Sequence, residues 1–196
     1  MANFNVNNHM FMFLIENGNI YLALKRKDNK ISVPKYNYDG EGTADKKVAL
    51  SFYNDANVKG LMYHQCHTFS KDSNLDIVFA SITNRQLANN MSKDYMWYSL
   101  TELDNKIIPD YVLDYLKTYL NKIDNIRNIL PELFSLKELQ TLYENLFKTS
   151  FDRRNFRKRL INLGIVKTDE EYAHDGSNGR PNKLYSFTDV KNVDII

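Results

Sequence analysis

The period of the apolar positions changes along the chain. Over residues 10–24, MFMFLIENGNIYLAL, apolar runs flank Asn17-Gly18. That pair suits a two-residue hairpin turn, so two antiparallel strands are expected. KRKDNK then reads as a charged loop, and ISV as a short strand ending at Pro34. Residues 43–57 bring Ala44, Val48, Ala49, Phe52 and Ala56 to helical spacing. LMYHQCHTF and LDIVFASIT are strand-like, the second apolar enough for a fully buried strand. MWYSLTEL is a further short strand entering a turn, and residues 84–93 read as the most mobile loop. PDYVLDYLKTYLNKI predicts a helix with Pro109 at its start and an apolar face of Val112, Leu113, Leu116 and Leu120.

Beyond residue 125 the pattern shortens. Ser135-Leu136-Lys137-Glu138 has the S-x-x-E form of a capping box. It opens SLKELQTLYENLFK, whose Leu136, Leu139, Leu142, Tyr143 and Leu146 make one apolar face. Thr149-Ser150 leads to a second helix capped by Asp152, with Phe156, Leu160 and Leu163 as its stripe and Gly164 as its stop. LGIVKTDEEY and NKLYSFTD alternate like two strands, with Gly176, Gly179 and Pro181 at the bend. Two short helices followed by a turn-rich hairpin make a winged helix-turn-helix.

Charge sharpens that reading. Lys148, Arg153, Arg154, Arg157, Lys158, Arg159 and Lys167 face a single acid, Asp152, in a chain of formal net charge +2. The cations are gathered onto one helix, and a basic helix followed by a basic hairpin is what a winged helix presents to duplex DNA. Interleaved exposed aromatics, the stacking platform of single-strand binders, are missing from this region. A general RNA-binding face is the competitor within the class.

Composition bounds the rest. The 196 residues, 43% apolar and 13% aromatic, leave room for two small cored domains. No apolar run approaches the ~20 residues that span a bilayer, and MFMFLI lacks the flanks of a signal peptide. A single cysteine, Cys66, excludes an intrachain disulfide framework and fits the cytoplasm. No metal site is expected: on a regular strand His64 and Cys66 share a face, His67 points away, and no second Cys/His cluster completes a tetrahedron. Gly40-Glu41-Gly42 has no Lys-Ser/Thr after it and is no phosphate cradle.

The order of elements, with ILPELFSLKELQTLYENLF, DRRNFRKRL and GRPNKLYSF, resembles the Nudix-related transcriptional regulators (NrtR-like proteins). The resemblance implies an α+β chain: a degenerate Nudix-like α/β/α sandwich over residues 1–124, serving effector binding and dimerisation, then a winged helix-turn-helix over 125–196. A working Nudix box reads G-x5-E-x7-R-E-U-x-E-E-x-G-U, with U aliphatic. Laid without a gap from Tyr36, its glutamates fall on Gly42, Ser51, Asn54 and Asp55, its arginine on Leu50, and its closing Gly-U on Asn57 and Val58. Phe52 and Val58 keep the apolar positions while the carboxylates are gone. One acid cannot hold a divalent metal against a diphosphate, so no catalytic residues and no cofactor are expected.

The reading is a ligand-responsive regulator, a repressor, that binds double-stranded DNA as a homodimer. Arg153, Arg154, Asn155, Arg157 and Lys158 are expected in or beside the major groove, where arginine suits guanine and asparagine adenine. Arg180, between Gly179 and Pro181 at the wing tip, is expected at a minor groove or phosphate, with Lys183 behind it. Lys137, Lys148 and Arg159 are assigned to phosphates. The resemblance implies a small-molecule effector, an ADP-ribose-type nucleotide or a pentose sugar, with Arg26 at the cleft border as a ligand-binding candidate. The alternatives are a residual Nudix hydrolase of nucleoside diphosphate derivatives, and a DNA-binding or scaffold protein without an effector.

Overall fold

A computed structural model describes residues 5–83, 85–103, 107–173 and 181–196. The chain divides into two compact units, residues 1–16 with 20–113 and residues 17–19 with 114–196.

The first unit is a mixed sheet. β1 (Asn5–Glu16), β2 (Asn19–Lys27), β3 (Lys30–Ser32), β6 (Asn74–Thr83) and β5 (Tyr63–Lys71) lie in the order β3-β2-β1-β6-β5. β4 (Lys35–Asn37) pairs with β1, and β7 (Tyr95–Ser99) with β2. β1 runs parallel to β6, with Met10 opposite Phe79. That central place explains why Met10, Phe11, Met12, Phe13 and Leu14 are all buried, since such a strand is covered on both faces. Asn17 and Gly18 both adopt positive φ, as the expected turn requires. KRKDNK is not a loop. Lys25–Lys27 continue β2, Asp28 and Asn29 make a second positive-φ turn, and Lys30 begins β3. Asp and Asn tolerate that backbone, and the density of charge hid the hairpin. The stretch expected as a mobile loop contains α2 (Arg85–Ala88), and Arg85 forms a bidentate ion pair with Glu16.

α1 (Ala44–Ala56) lays Val48, Phe52 and Ala56 on Met10, Met12, Phe79 and Tyr95. Its C-cap is Asn57 at φ 58°, the position where the Nudix box has its closing glycine. Asparagine is the side chain that tolerates this conformation best after glycine. The helix therefore stops where a glycine would stop it.

The second unit begins inside α3 (Asp110–Asn121), ahead of the 124/125 boundary expected from the sequence. Its last turns belong there physically: Leu116 and Leu120 are buried, and the Tyr143 hydroxyl donates to the Leu120 carbonyl at 2.7 Å. α4 (Ile123–Ile126), β8 (Phe134–Ser135), α5 (Leu136–Phe147), α6 (Arg153–Asn162), β9 (Val166–Ala173) and β10 (Asn182–Phe187) follow. The strands form a sheet ordered β8-β10-β9. Phe134, Leu139, Leu142, Tyr143, Phe156, Leu160, Ile165 and Tyr185 are all buried in this unit. α4 and β8 were not anticipated; both are too short to show a period.

Among the described residues, no helix is long and apolar enough to cross a membrane.

Candidate nucleic-acid interface

α5 and α6 are set by their caps. Ser135 Oγ accepts from the Glu138 amide at 3.2 Å, and Glu138 Oε2 accepts from the Ser135 amide at 2.9 Å, completing the capping box. α5 ends on Lys148 at φ 51°. Asp152 Oδ1 accepts from the Asn155 amide at 2.8 Å and starts α6. Gly164, at φ 64°, follows the end of the helix.

Phe156 and Leu160 bury one face of α6, while Leu163 is 39% exposed and does not extend the stripe. The helix ends at Asn162, so the fully buried apolar position passes to Ile165 beyond Gly164. At 3.6 residues per turn, Arg154 and Lys158 stand opposite Phe156. Arg153 and Arg157, one turn apart, flank the buried face on one side, and Asn155 and Arg159 flank it on the other. Arg153, Arg154, Asn155, Arg157 and Lys158 are all exposed. Among the described residues none of these four cations has an ion-pair partner. Arg159 is exposed as well, and its Nε donates to the Ile195 carbonyl at 2.7 Å.

Arg153 and Arg157 share a groove of about 490 Å³ with Lys137 at the start of α5 and with Lys183 and Tyr172 on the wing strands. Lys183 lies opposite Tyr172 in the β9–β10 ladder, and Tyr172 is 54% exposed. Tyr172 was not singled out from the sequence, where Asp169, Glu170 and Glu171 precede it and no basic neighbour marks it. Lys148 lies at the far end of α5 from this groove. Arg180 lies outside the described residues.

The Nudix-box positions are equally specific. Leu50 and Asn54 are exposed on α1, with Leu50 at 55%. Asp55 is committed. Its Oδ1 pairs with Lys25 Nζ, and its Oδ2 accepts from the hydroxyls of Tyr36 at 2.9 Å and Tyr95 at 2.5 Å. Burial pushes the Asp55 carboxyl up, but Lys25 and the two tyrosines outweigh it and hold it below the usual range. Burial raises both tyrosine hydroxyls, which remain donors. A carboxylate already neutralised by a lysine, with both oxygens engaged, does not fit the divalent-metal role of a Nudix acid.

Asp55→Asn is expected to cost about 1–3 kcal/mol at pH 7, because Lys25 loses its countercharge. The folded pKa of Asp55 is depressed, so its contribution is present above the unfolded value of about 3.9 and is lost as pH falls through the folded one. Denaturant unfolding of both proteins at pH 7 and pH 3 checks this. The difference should shrink at pH 3, and one independent of pH overturns the assignment.

Arg26, the ligand candidate, is exposed; it donates to Asn29 Oδ1 at 3.3 Å and approaches Met96 Sδ at 4.0 Å. Its neighbour Lys25 is the one that faces the Asp55 cluster. On β5 a bulge between Gln65 and His67 breaks the alternation. His64 lies opposite Ala80 and His67 opposite Val78, so the two imidazoles share a side and His67 does not point away as a regular strand would have it. His67 stacks on Tyr111 with ring centroids 4.3 Å apart. Burial pushes the Cys66 thiol up to about 11, and it donates to the Val78 carbonyl at 3.4 Å.

Comparison with known proteins fits this geometry. Residues 126–187 match the NrtR DNA-binding winged helix domain family. The ADPR responsive transcriptional repressor NtrR of Acinetobacter baylyi is 35% identical over 60 residues, which span 31% of this chain and 23% of that protein. The crystal structure of Shewanella oneidensis NrtR complexed with a 27mer DNA has a TM-score of 0.67 at 15% identity and covers 93% of each chain. A MutT/nudix family protein from Enterococcus faecalis has a TM-score of 0.66 at 11% identity, over 96% of this chain and 88% of that one. Residues 126–187 are thus a winged helix domain of the NrtR DNA-binding family, carried in a chain with the fold of the Nudix-related, NrtR-like regulators.

Proposed function

We propose that this chain is a transcriptional regulator that binds duplex operator DNA through its winged helix, with a Nudix-like sensor domain that binds its ligand without hydrolysing it. The single observation that carries the reading is α6. Within a matched winged helix domain it holds five exposed cations, Arg153, Arg154, Arg157, Lys158 and Arg159, free of ion pairs among the described residues. Cations left unneutralised along one helix are what a polyanion recruits. The Acinetobacter relative is a repressor, and we assign the same role here. An ADP-ribose-type nucleotide is the favoured effector on the same ground, with a pentose second. The working division is residues 1–124 for ligand and dimer contacts and 125–196 for DNA. A homodimer would set two copies of α6 on a pseudo-palindromic site.

Selection of bound sequences from a random duplex library tests the reading, with affinity remeasured at several salt concentrations. Enrichment of an inverted repeat is expected. Retention of no duplex at low salt overturns it.

The second reading, residual hydrolysis, gains nothing from the Asp55 geometry. With Gly42, Ser51 and Asn54 at the other acid positions, incubation with ADP-ribose and magnesium is expected to leave the nucleotide intact. Release of a phosphorylated product would establish an enzyme.

A further inference from the structure

The cations of α6 fall into two sets, and only one of them lines the groove against the wing. Arg153 and Arg157 meet Lys137, Lys183 and Tyr172 there. Arg154 and Lys158 lie on the far side of the helix from the buried Phe156 and Leu160. An α-helix with its side chains is ~10–12 Å across, and the major groove that admits it is ~12 Å wide. The far side of a seated helix therefore meets base edges, while its flanks meet the groove walls, which are sugar and phosphate. A concave, multiply cationic groove beside that flank suits a strand of backbone. Stacked bases of a duplex cannot enter it without being flipped out.

We propose that the groove between α6, the start of α5 and the wing grips a short run of one DNA strand's backbone, and that base reading falls to Arg154 and Lys158. Arg153, Arg157, Lys137 and Lys183 meet phosphodiester oxygens, and the Tyr172 ring packs against deoxyribose. This rests on the DNA-binding reading above and divides its residues by task. Arg153 and Arg157 are positioning residues that fix register and carry no sequence preference.

The test uses the full chain and the duplex recovered by selection. Single phosphates are replaced in turn by neutral methylphosphonates, and every base pair of the site is varied. In the unsubstituted protein, one or two methylphosphonates in each half-site should weaken binding several-fold. Those positions should cost nothing further in Arg153→Ala and Arg157→Ala, because the contact is already lost. Both variants should keep the original base preference and lower the salt slope by about 0.9 per phosphate contact. Arg154→Ala and Lys158→Ala should stay sensitive to the methylphosphonates and lose discrimination at one base pair by roughly 5–150-fold. Tyr172→Ala should weaken all duplexes alike.

If Arg153→Ala or Arg157→Ala changes the preferred base while methylphosphonate sensitivity persists, the division is wrong, although the DNA-binding reading stands. Undiminished binding by a methylphosphonate at every position also overturns the groove assignment. Failure of the unsubstituted protein to retain any duplex overturns the reading underneath.

Discussion

Raising monovalent salt from ~50 to ~200 mM is expected to weaken the binding of this chain to duplex DNA by about 150-fold per protomer. The figure follows from four groove cations, Lys137, Arg153, Arg157 and Lys183. Each phosphate neutralised releases about 0.9 condensed counterion, which gives a slope near −3.6 in log affinity against log salt. Two protomers on one site would double the slope and bring the loss to about 2 × 10⁴-fold. Surface electrostatics of this kind is screened within ~8 Å at physiological ionic strength. Affinity should therefore be tight in dilute buffer and moderate in the cell. Fluorescence anisotropy over a salt series measures the slope directly. A value shallower than about −1 would mean that the positive face does not lie along the backbone at all.

Tyr143→Ala is expected to destabilise the second unit by about 4 kcal/mol, within the 3–5 kcal/mol range of aromatic truncations in cores. Tyr143 is fully buried, stacks with Phe147 at 6.1 Å and meets Phe156 at 6.3 Å. Its ring is thus the shared surface of α5 and α6. Truncation also strips the Leu120 carbonyl of its 2.7 Å donor. For a domain of this size a loss of about 4 kcal/mol lowers the melting temperature by roughly 15–30 °C. DNA affinity should collapse with it, because α6 is held in place by that ring. Tyr143→Phe separates the two terms: it keeps the packing and should cost only about 1–3 kcal/mol. Burial raises the Tyr143 hydroxyl, so it stays a donor throughout the working pH range. Circular dichroism melts of the three proteins decide the matter. Equal losses for Ala and Phe would show that the hydrogen bond, not the ring, carries the stability.

How far the sequence reached depended on the range of the interaction. Caps are local, and both were legible: Ser135 with Glu138, and Asp152 with Asn155, lie three residues apart in sequence. The buried strand LDIVFASIT declared itself by its apolar run, and it is β6, an inner strand between β1 and β5. What stayed hidden depends on partners distant in sequence. Arg159 looked like its basic neighbours, and only the return of the chain to Ile195 gave its guanidinium an acceptor. Asp55 looked like the last survivor of a catalytic box. Lys25, Tyr36 and Tyr95 come from three separate strands to claim it. The bulge between Gln65 and His67 moved His67 to the side of His64 on β5, because period-two reasoning fails at one extra residue. The groove itself needed α5, α6 and the wing in register, which no single window of sequence contains.

The tether at Arg159 has a mechanical meaning. Arg159 Nε holds the Ile195 carbonyl, and the Ile195 amide holds the Asn121 carbonyl at 2.9 Å. Asn121 also brackets Ile196 through its side chain, at 3.1 Å and 2.8 Å. The end of α3 and the middle of α6 are therefore fastened through one short strap, with Ile195 fully buried beneath it. A helix strapped in this way shares its position with the end of α3, so that a displacement of one is passed to the other through Ile195.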